Sequence, residues 1–226
     1  MNKELFERAY ELLKNPVYCF DNGQGDILDC ETFEEADILY ECGASRIALI
    51  LDDCVLKKPY TGFCEWTEDN NNPIAISEAP ENQASCETEA LIYKLAEERG
   101  LEKFFAKSEY LGDEIFKQEK AEELVVNRIS SYSIPKDFKE KCEALGLTEL
   151  YDRCSTTTLE AFIEEYPVEE LLKLQNFIVE YDIDDLHGHN AGWCNGKLKL
   201  IDYSGTNETT ADFVRADFNK RKAVNA

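Results

Sequence analysis

Apolar positions along residues 2–14 recur at helical spacing, with Leu5, Ala9, Leu12 and Leu13 on one face of a short charged helix that Asn15-Pro16 ends. Asp21 to Asp26 reads as a turn, and a second helix is expected from about Glu31 to Tyr40. The pattern then changes. Gly43-Ala44-Ser45 is a flexible turn, Arg46 to Leu51 a strand, Asp52-Asp53 a tight turn and Cys54 to Lys57 the hairpin partner. Such a hairpin covers little area alone, so it must belong to a larger antiparallel sheet. Residues 61–84 are polar and read as a long loop. A helix follows from Ser85 to Arg99, striped by Leu91, Ile92, Leu95 and Ala96 and stopped by Gly100. Phe104 to Ala106 and Glu114 to Gln118 are short strand candidates flanking a turn at Leu111-Gly112-Asp113.

Beyond residue 120 the period becomes helical. Segments 135–145, 157–164 and 167–180 fit amphipathic helices, with Pro135 and Pro167 in first turns and Thr157 or Thr158 as a cap. A His-containing loop, a strand pair around Gly196 and a polar tail complete the chain. The expected fold class is α+β: an N-terminal helical extension over 1–38, an antiparallel β-rich lobe over 39–120 and a helical lobe over 121–226, divided near 118–124.

Composition narrows the function classes. Apolar residues make up 43 % of 226, enough for a core. Lys and Arg number 24 against 47 Asp and Glu, a net charge of −23. That charge disfavours nucleic acid and anionic membranes. It also opposes a nucleotide, so a nucleotide site must rely on a local lysine and bound cations. No run approaches the ~18 apolar residues of a membrane span. Nine cysteines without a C-x-x-C pair, only two histidines and no signal peptide argue against structural zinc and predict a reducing, cytoplasmic setting.

The chemistry concentrates in Asp185-Leu186-His187-Gly188-His189-Asn190 and in Asp202, twelve residues past Asn190 and delivered by Lys199-Leu200-Ile201. Phosphoryl transfer asks little covalent work of a protein; it needs in-line placement, neutralised oxygens and an oriented hydroxyl. Asp185 suits the last task. The amide oxygen of Asn190 and the carboxylate of Asp202 are hard ligands suited to Mg²⁺. His187 reads as a loop-supporting or phosphate-proximal residue and His189 as structural or exposed.

Over about residues 38–207 the chain resembles the protein-kinase-like superfamily, closest to its compact bacterial and phage members and to aminoglycoside or choline kinases. Asp185, Asn190 and Asp202 match the family's Asp-Leu-x-x-x-Asn loop and its metal-binding Asp. The pattern departs at Ile183 and Asp184, where His and Arg or Gly are usual, and at Tyr203-Ser204, where Phe-Gly is usual, Gly205 coming one place late. The resemblance implies a minimal bilobal fold using ATP and Mg²⁺. Val55-Leu56-Lys57 then resembles the strand bearing the nucleotide lysine, with Lys58 the competing choice because a strand alternates its faces. The helix from Ser85 is implied to supply the acid that fixes this lysine, Glu89 ranking ahead of Glu87. Gly43 and Ser45 stand where a phosphate loop belongs, though one glycine is a sparse version of it. Glu119-Lys120-Ala121 resembles the hinge that receives adenine, which makes Glu119 and Ala121 cofactor-binding candidates.

The leading expectation is an ATP- and Mg²⁺-dependent phosphotransferase acting on a protein Ser/Thr or a small-molecule hydroxyl, in the host cytoplasm if the chain is phage-encoded. The competing expectations are a pseudokinase or kinase-derived protein that engages a host partner without turnover, and an acidic nucleic-acid mimic. For the kinase-like expectations Lys57 and Glu89 must face the same cleft as Asn190 and Asp202.

Overall fold

The computed structural model describes residues 2–20, 30–66, 73–78, 80–124 and 136–206, with isolated positions beyond 206. The turn expected at 21–26 and Pro135 lie outside the described residues. The described residues divide into two compact units. The first holds Met1–Ala90 and Lys107–Lys120, the second Leu91–Ala106 and Ala121–Ala226.

In the first unit α1 (Lys3–Leu13) is capped by Asn2, whose side chain accepts from the Leu5 N–H at 3.3 Å. It is followed by β1 (Tyr18–Phe20), α2 (Cys30–Glu35), β2 (Leu39–Cys42), β3 (Arg46–Ile50), β4 (Cys54–Pro59), β5 (Gly62–Trp66), β6 (Pro73–Glu78) and α3 (Pro80–Glu98). After a 3₁₀ turn at Glu102–Phe104 come β7 (Ser108–Gly112) and β8 (Ile115–Glu119). The main sheet is five-stranded and antiparallel, in the order β2-β3-β4-β8-β7, so the hairpin read at 43–57 does sit inside a larger sheet. One face buries Ile47, Leu49, Leu56 and Ile115 in a cluster shared with Ala9 and Leu13 of α1. The opposite face carries Arg46, Lys57 and Gln118.

Several expectations for this half are corrected. The helix foreseen to Tyr40 stops at Glu35, because Asp37 takes a left-handed φ of 54° and Leu39–Cys42 joins the sheet. The loop expected over 61–84 contains β5 and β6, and α3 starts at Pro80 rather than Ser85. Pro73 hid β6 from the pattern, yet as a strand's first residue it costs no ladder bond. β5 pairs in parallel with β1, a contact between distant stretches that local periodicity does not reveal. The strand expected at Phe104–Ala106 is a 3₁₀ turn plus a single bridge from Phe105 to Leu200. The hairpin partner of β8 is β7, across a turn whose Asp113 and Glu114 both have positive φ, the twist a two-residue hairpin prefers.

The second half of α3 belongs to the second unit. Gly100, at φ 68°, ends it as expected: its N–H reaches the Glu97 carbonyl and the Leu101 N–H the Ala96 carbonyl, the paired bonds of a Schellman stop. The rest comprises β9 (Glu122–Glu123), α4 (Lys136–Leu145), α5 (Thr148–Arg153), α6 (Thr156–Glu165), α7 (Val168–Glu180), β10 (Ala191–Cys194) and β11 (Lys197–Leu200). The cap of α6 is Ser155, which accepts from the Thr158 N–H at 3.2 Å, not Thr157 or Thr158. Pro167 stands at the N-cap of α7, one place before the first turn. β10 and β11 form the hairpin read around Gly196, with β9 on the other edge of β10. Leu159, Phe162, Leu171, Leu174, Phe177 and Ile178 of α6 and α7 pack with Ile183, Leu186, Leu198 and Leu200 in one core.

The fold is thus α+β. No helix among the described residues is long and apolar enough to cross a membrane. All eight cysteines whose side chains are described are free thiols.

Candidate functional site

Two constellations of polar side chains stand out, one in each unit. In the first, strand register does the assembling. Lys57 of β4 lies opposite Ala48 of β3 and Phe116 of β8. Arg46 is two residues before Ala48 and Gln118 two after Phe116, so period-two alternation puts Arg46, Lys57 and Gln118 on one sheet face. Glu89 of α3, fully buried, receives all three. Its Oε1 accepts from the Arg46 guanidinium at 2.6 Å and from Lys57 Nζ at 3.2 Å. Its Oε2 accepts from Lys57 Nζ at 3.0 Å and Gln118 Nε2 at 3.3 Å. Two cations and an amide donor match a charged carboxylate, and bonds to ionised groups are the strong ones, about 1.5–3 kcal/mol each. Burial pushes the neighbouring Cys86 thiol up, and Arg46, 3.8 Å from its sulfur, pulls it partly back.

The same alternation separates the lysines. Lys58 lies opposite Ile47 and donates from the other face to the Leu13 carbonyl at the end of α1, at 2.6 Å. Burial pushes its ammonium below the ordinary lysine value, with Glu114 and Asp113 opposing. Lys57 and Glu89, first-ranked from sequence, are therefore the pair that meets. Glu87 is also buried, but Glu89 holds the lysine.

Gly43 and Ser45 form a tight link between β2 and β3, closed by the Gly43 N–H on the Arg46 carbonyl at 2.9 Å. Ser45 Oγ is 3.0 Å from Ser85 Oγ at α3. Glu119 turns its carboxylate back to the Lys107 N–H at 3.3 Å, so its side chain serves the β7–β8 edge. Ala121 opens the second unit. Its side chain lies so close to Gly192 that a Cβ there would come within 2.9 Å of Ala121 Cβ and 2.7 Å of the Glu122 carbonyl, which admits only glycine.

In the second unit the loop 183–190 is held by its backbone. On one side the Ser155 N–H reaches the Leu186 carbonyl at 3.0 Å, and the Arg153 guanidinium holds the Ile183 carbonyl at 3.1 Å and Asp182 at 2.8 Å. On the other, the Asp184 N–H donates to the Gly205 carbonyl at 2.8 Å and the Ile201 N–H to the Asn190 carbonyl at 2.9 Å. Leu186, 1 % exposed, anchors the loop from below. Burial, and then Asp184, push the Cys154 thiol up to about 12, so it stays protonated beneath the loop.

The Asp185 side chain of this loop points outward. Asp185 has a left-handed φ of 61° and its side chain is 73 % exposed. A non-glycine residue there costs roughly 1 kcal/mol, and such outliers persist where surrounding bonds impose them. Asn190 Nδ2 donates to the Asp185 carbonyl at 2.7 Å. A carbonyl only accepts, so the amide orientation is settled and Oδ1 faces away from that bond. The Asp202 N–H approaches the same Asn190 carbonyl at 3.5 Å, and Ser204 Oγ donates to Asp202 Oδ1 at 3.2 Å. The next residue, Tyr203, is locked in the core, its hydroxyl on the Ala106 carbonyl at 2.7 Å. Asp185, Asn190 and Asp202 therefore belong to one bonded segment. His187 Nδ1 accepts from the His189 N–H at 3.2 Å, which places the proton of the neutral ring on Nε2, 3.8 Å from Asp185 Oδ1.

Among the described residues no group of three His, Cys, Asp or Glu side chains gathers as a metal site. Asn190 and Asp202 offer one amide and one carboxylate, oxygen donors of the hard kind that suits Mg²⁺. Sequence reasoning missed Arg46, Gln118 and Arg153. The first two carried a usable signal, since their register on the Lys57 face follows once the strand pairings are known; Arg153 carried none. No protein-family model, curated protein or solved structure matches the chain.

Proposed function

We propose that the chain is an ATP- and Mg²⁺-dependent phosphotransferase of a minimal bilobal kinase-like design, moving the γ-phosphoryl group to a hydroxyl of a protein Ser/Thr or a small molecule. The observation that carries this reading is the buried Lys57–Glu89 pair, at 3.0 Å between a central strand and α3. Such a pair holds an ammonium at a defined point for nucleotide phosphates. The Asp185–Asn190–Asp202 segment supports it from the other unit. Asp185 presents its carboxylate to solvent, where it can orient an acceptor hydroxyl and take its proton as that oxygen attacks the γ-phosphorus and ADP leaves. Asn190 Oδ1 and the Asp202 carboxylate would hold Mg²⁺, which when bound neutralises phosphate charge. Gly43 and Ser45, with the backbone of Glu119 to Ala121, are the proposed phosphate and adenine contacts.

The second reading is a kinase-derived binding protein without turnover, engaging a host or partner protein. The short Gly43–Ser45 link favours it, because the Gly43 N–H is taken by the Arg46 carbonyl, the Ser45 carbonyl accepts from the Tyr60 N–H and Ser45 Oγ meets Ser85, which leaves little backbone to wrap phosphate. Transfer from γ-labelled ATP with Mg²⁺ to a Ser/Thr peptide library and to hydroxyl-bearing small molecules separates the two. The expected result is Mg²⁺-dependent thermal stabilisation by ATP with transfer that Asp202→Asn abolishes. Stabilisation without transfer selects the binding protein, and no response to ATP removes both.

A further inference from the structure

Glu89 is held from more directions than a lysine-positioning acid needs. Three adjacent strands each send one side chain to it: Arg46 from β3, Lys57 from β4 and Gln118 from β8. The Glu89 side chain is 1 % exposed and those of Arg46 and Lys57 are 8 % and 9 %. The neighbouring stretch of α3 is fastened to the start of β3 and the link before it as well, through Cys86 to Arg46 and Ser85 to Ser45. The guanidinium is planar and permanently charged, whereas the lysine ammonium is a mobile point charge on a flexible stem.

We infer that Arg46 is a positioning residue for Lys57: with Gln118 it keeps the Glu89 carboxylate compensated and α3 in place when the Lys57 ammonium is shared with a nucleotide polyphosphate. This rests on the phosphotransferase reading for its ligand. A lysine drawn toward phosphate donates less to its acid partner, and a buried carboxylate that loses counter-charge is driven to move or to protonate. Here Oε1 retains its shortest bond, to Arg46 at 2.6 Å, and Oε2 retains Gln118. The helix is thus clamped in the lysine-pairing position whether or not phosphate is bound, and Lys57–Glu89 pairing is a built-in state of this chain.

The test uses the full chain, with Mg²⁺ and the non-hydrolysable imido analogue of ATP as the probe. Arg46→Met is expected to weaken probe binding about tenfold, the loss of one charge-assisted bond. It is also expected to speed amide exchange over residues 85–90 in the absence of nucleotide. Arg46→Lys, which restores the charge, is expected to recover most of both. In a Glu89→Gln background the Arg46→Met effect should shrink to under about twofold, because coupled residues are non-additive. If Arg46→Met does not fold, Gln118→Leu carries the same readouts with smaller shifts, and no shift in it overturns the inference. Unchanged binding and exchange in Arg46→Met overturn it, as does an undiminished effect in Glu89→Gln, while probe binding by the unaltered chain leaves the phosphotransferase reading standing. Failure of the unaltered chain to bind the probe overturns both.

Discussion

The Glu89 cluster and the Asp185–Asp202 segment use polar groups in opposite ways. Around Glu89 the side chains themselves are the structure: two cations and an amide converge on one buried carboxylate, and solvent is excluded. Along 183–205 the backbone is the structure. Carbonyls and N–H groups of Asp184, Asp185, Leu186, Asn190 and Gly205 satisfy one another and their neighbours, while the Asp185 carboxylate stays in water. A buried ionic hub couples function to stability, so its residues cannot be removed quietly. A backbone-held loop leaves the Asp185 carboxylate in solvent.

The largest expected effect breaks the comparison on the loop side. Asp185→Asn tolerates the left-handed backbone and keeps the carbonyl that receives Asn190, so it should lower turnover about 10²–10⁴-fold. Stability in urea should move by no more than about 0.5 kcal/mol. A large stability loss would show that this carboxylate is structural after all. On the hub side Glu89→Ala leaves Arg46 and Lys57 without their shared carboxylate and should cost about 3–5 kcal/mol in urea unfolding.

Lys58 sharpens the contrast within one strand. It is as buried as Lys57 but meets a carbonyl instead of a carboxylate. Its folded-state affinity for the proton is depressed by burial, so the charge costs stability at neutral pH and the cost is relieved as pH rises through the lowered value toward the ordinary lysine range. Lys58→Met should therefore stay within about 1 kcal/mol of the unaltered protein at pH 7. The unaltered protein should gain on the variant between neutral pH and the ordinary lysine value, checked by paired urea titrations across that range.

The smallest effect belongs to the solvent-exposed Arg99–Glu180 pair. The Arg99 bond holds the Glu180 carboxyl below its ordinary value, so the pair's contribution is present above the ordinary carboxylate range and lost as pH falls through the lowered value. With side chains 41 % and 50 % exposed, water screens most of it. Arg99→Met should cost only about 0.5 kcal/mol near neutral pH, part of it from lost stacking on Phe177 and Tyr181, and the electrostatic part should vanish in acid.

How much of this was legible varies with the range of the interaction. The 46–57 hairpin, the Gly100 stop and the 191–200 hairpin were readable because alternation, a glycine and an Asn-Gly pair are local signals. The Lys57–Glu89 contact was legible too, since helix and strand periods say which side chains can share a face. β1 and β5 were missed because their parallel pairing joins distant stretches, and β7 was missed although its partner β8 follows across a two-residue turn. The left-handed Asp37 that ended a helix early, and the Ser155 cap ahead of Thr157 and Thr158, were missed because several polar residues competed for one role.

By itself, the sequence determined the α+β class, the acidic surface and the short stretch where Asp185, Asn190 and Asp202 gather, because composition, periodicity and spacing are properties of neighbouring residues. Tertiary structure decided which lysine meets Glu89, that Arg46 and Gln118 join them, and that the Asn190 amide turns onto the Asp185 carbonyl. Those outcomes depend on strand register and on the closing of backbone bonds between distant segments, and a shift of one residue would have sent Lys58 to the acid instead.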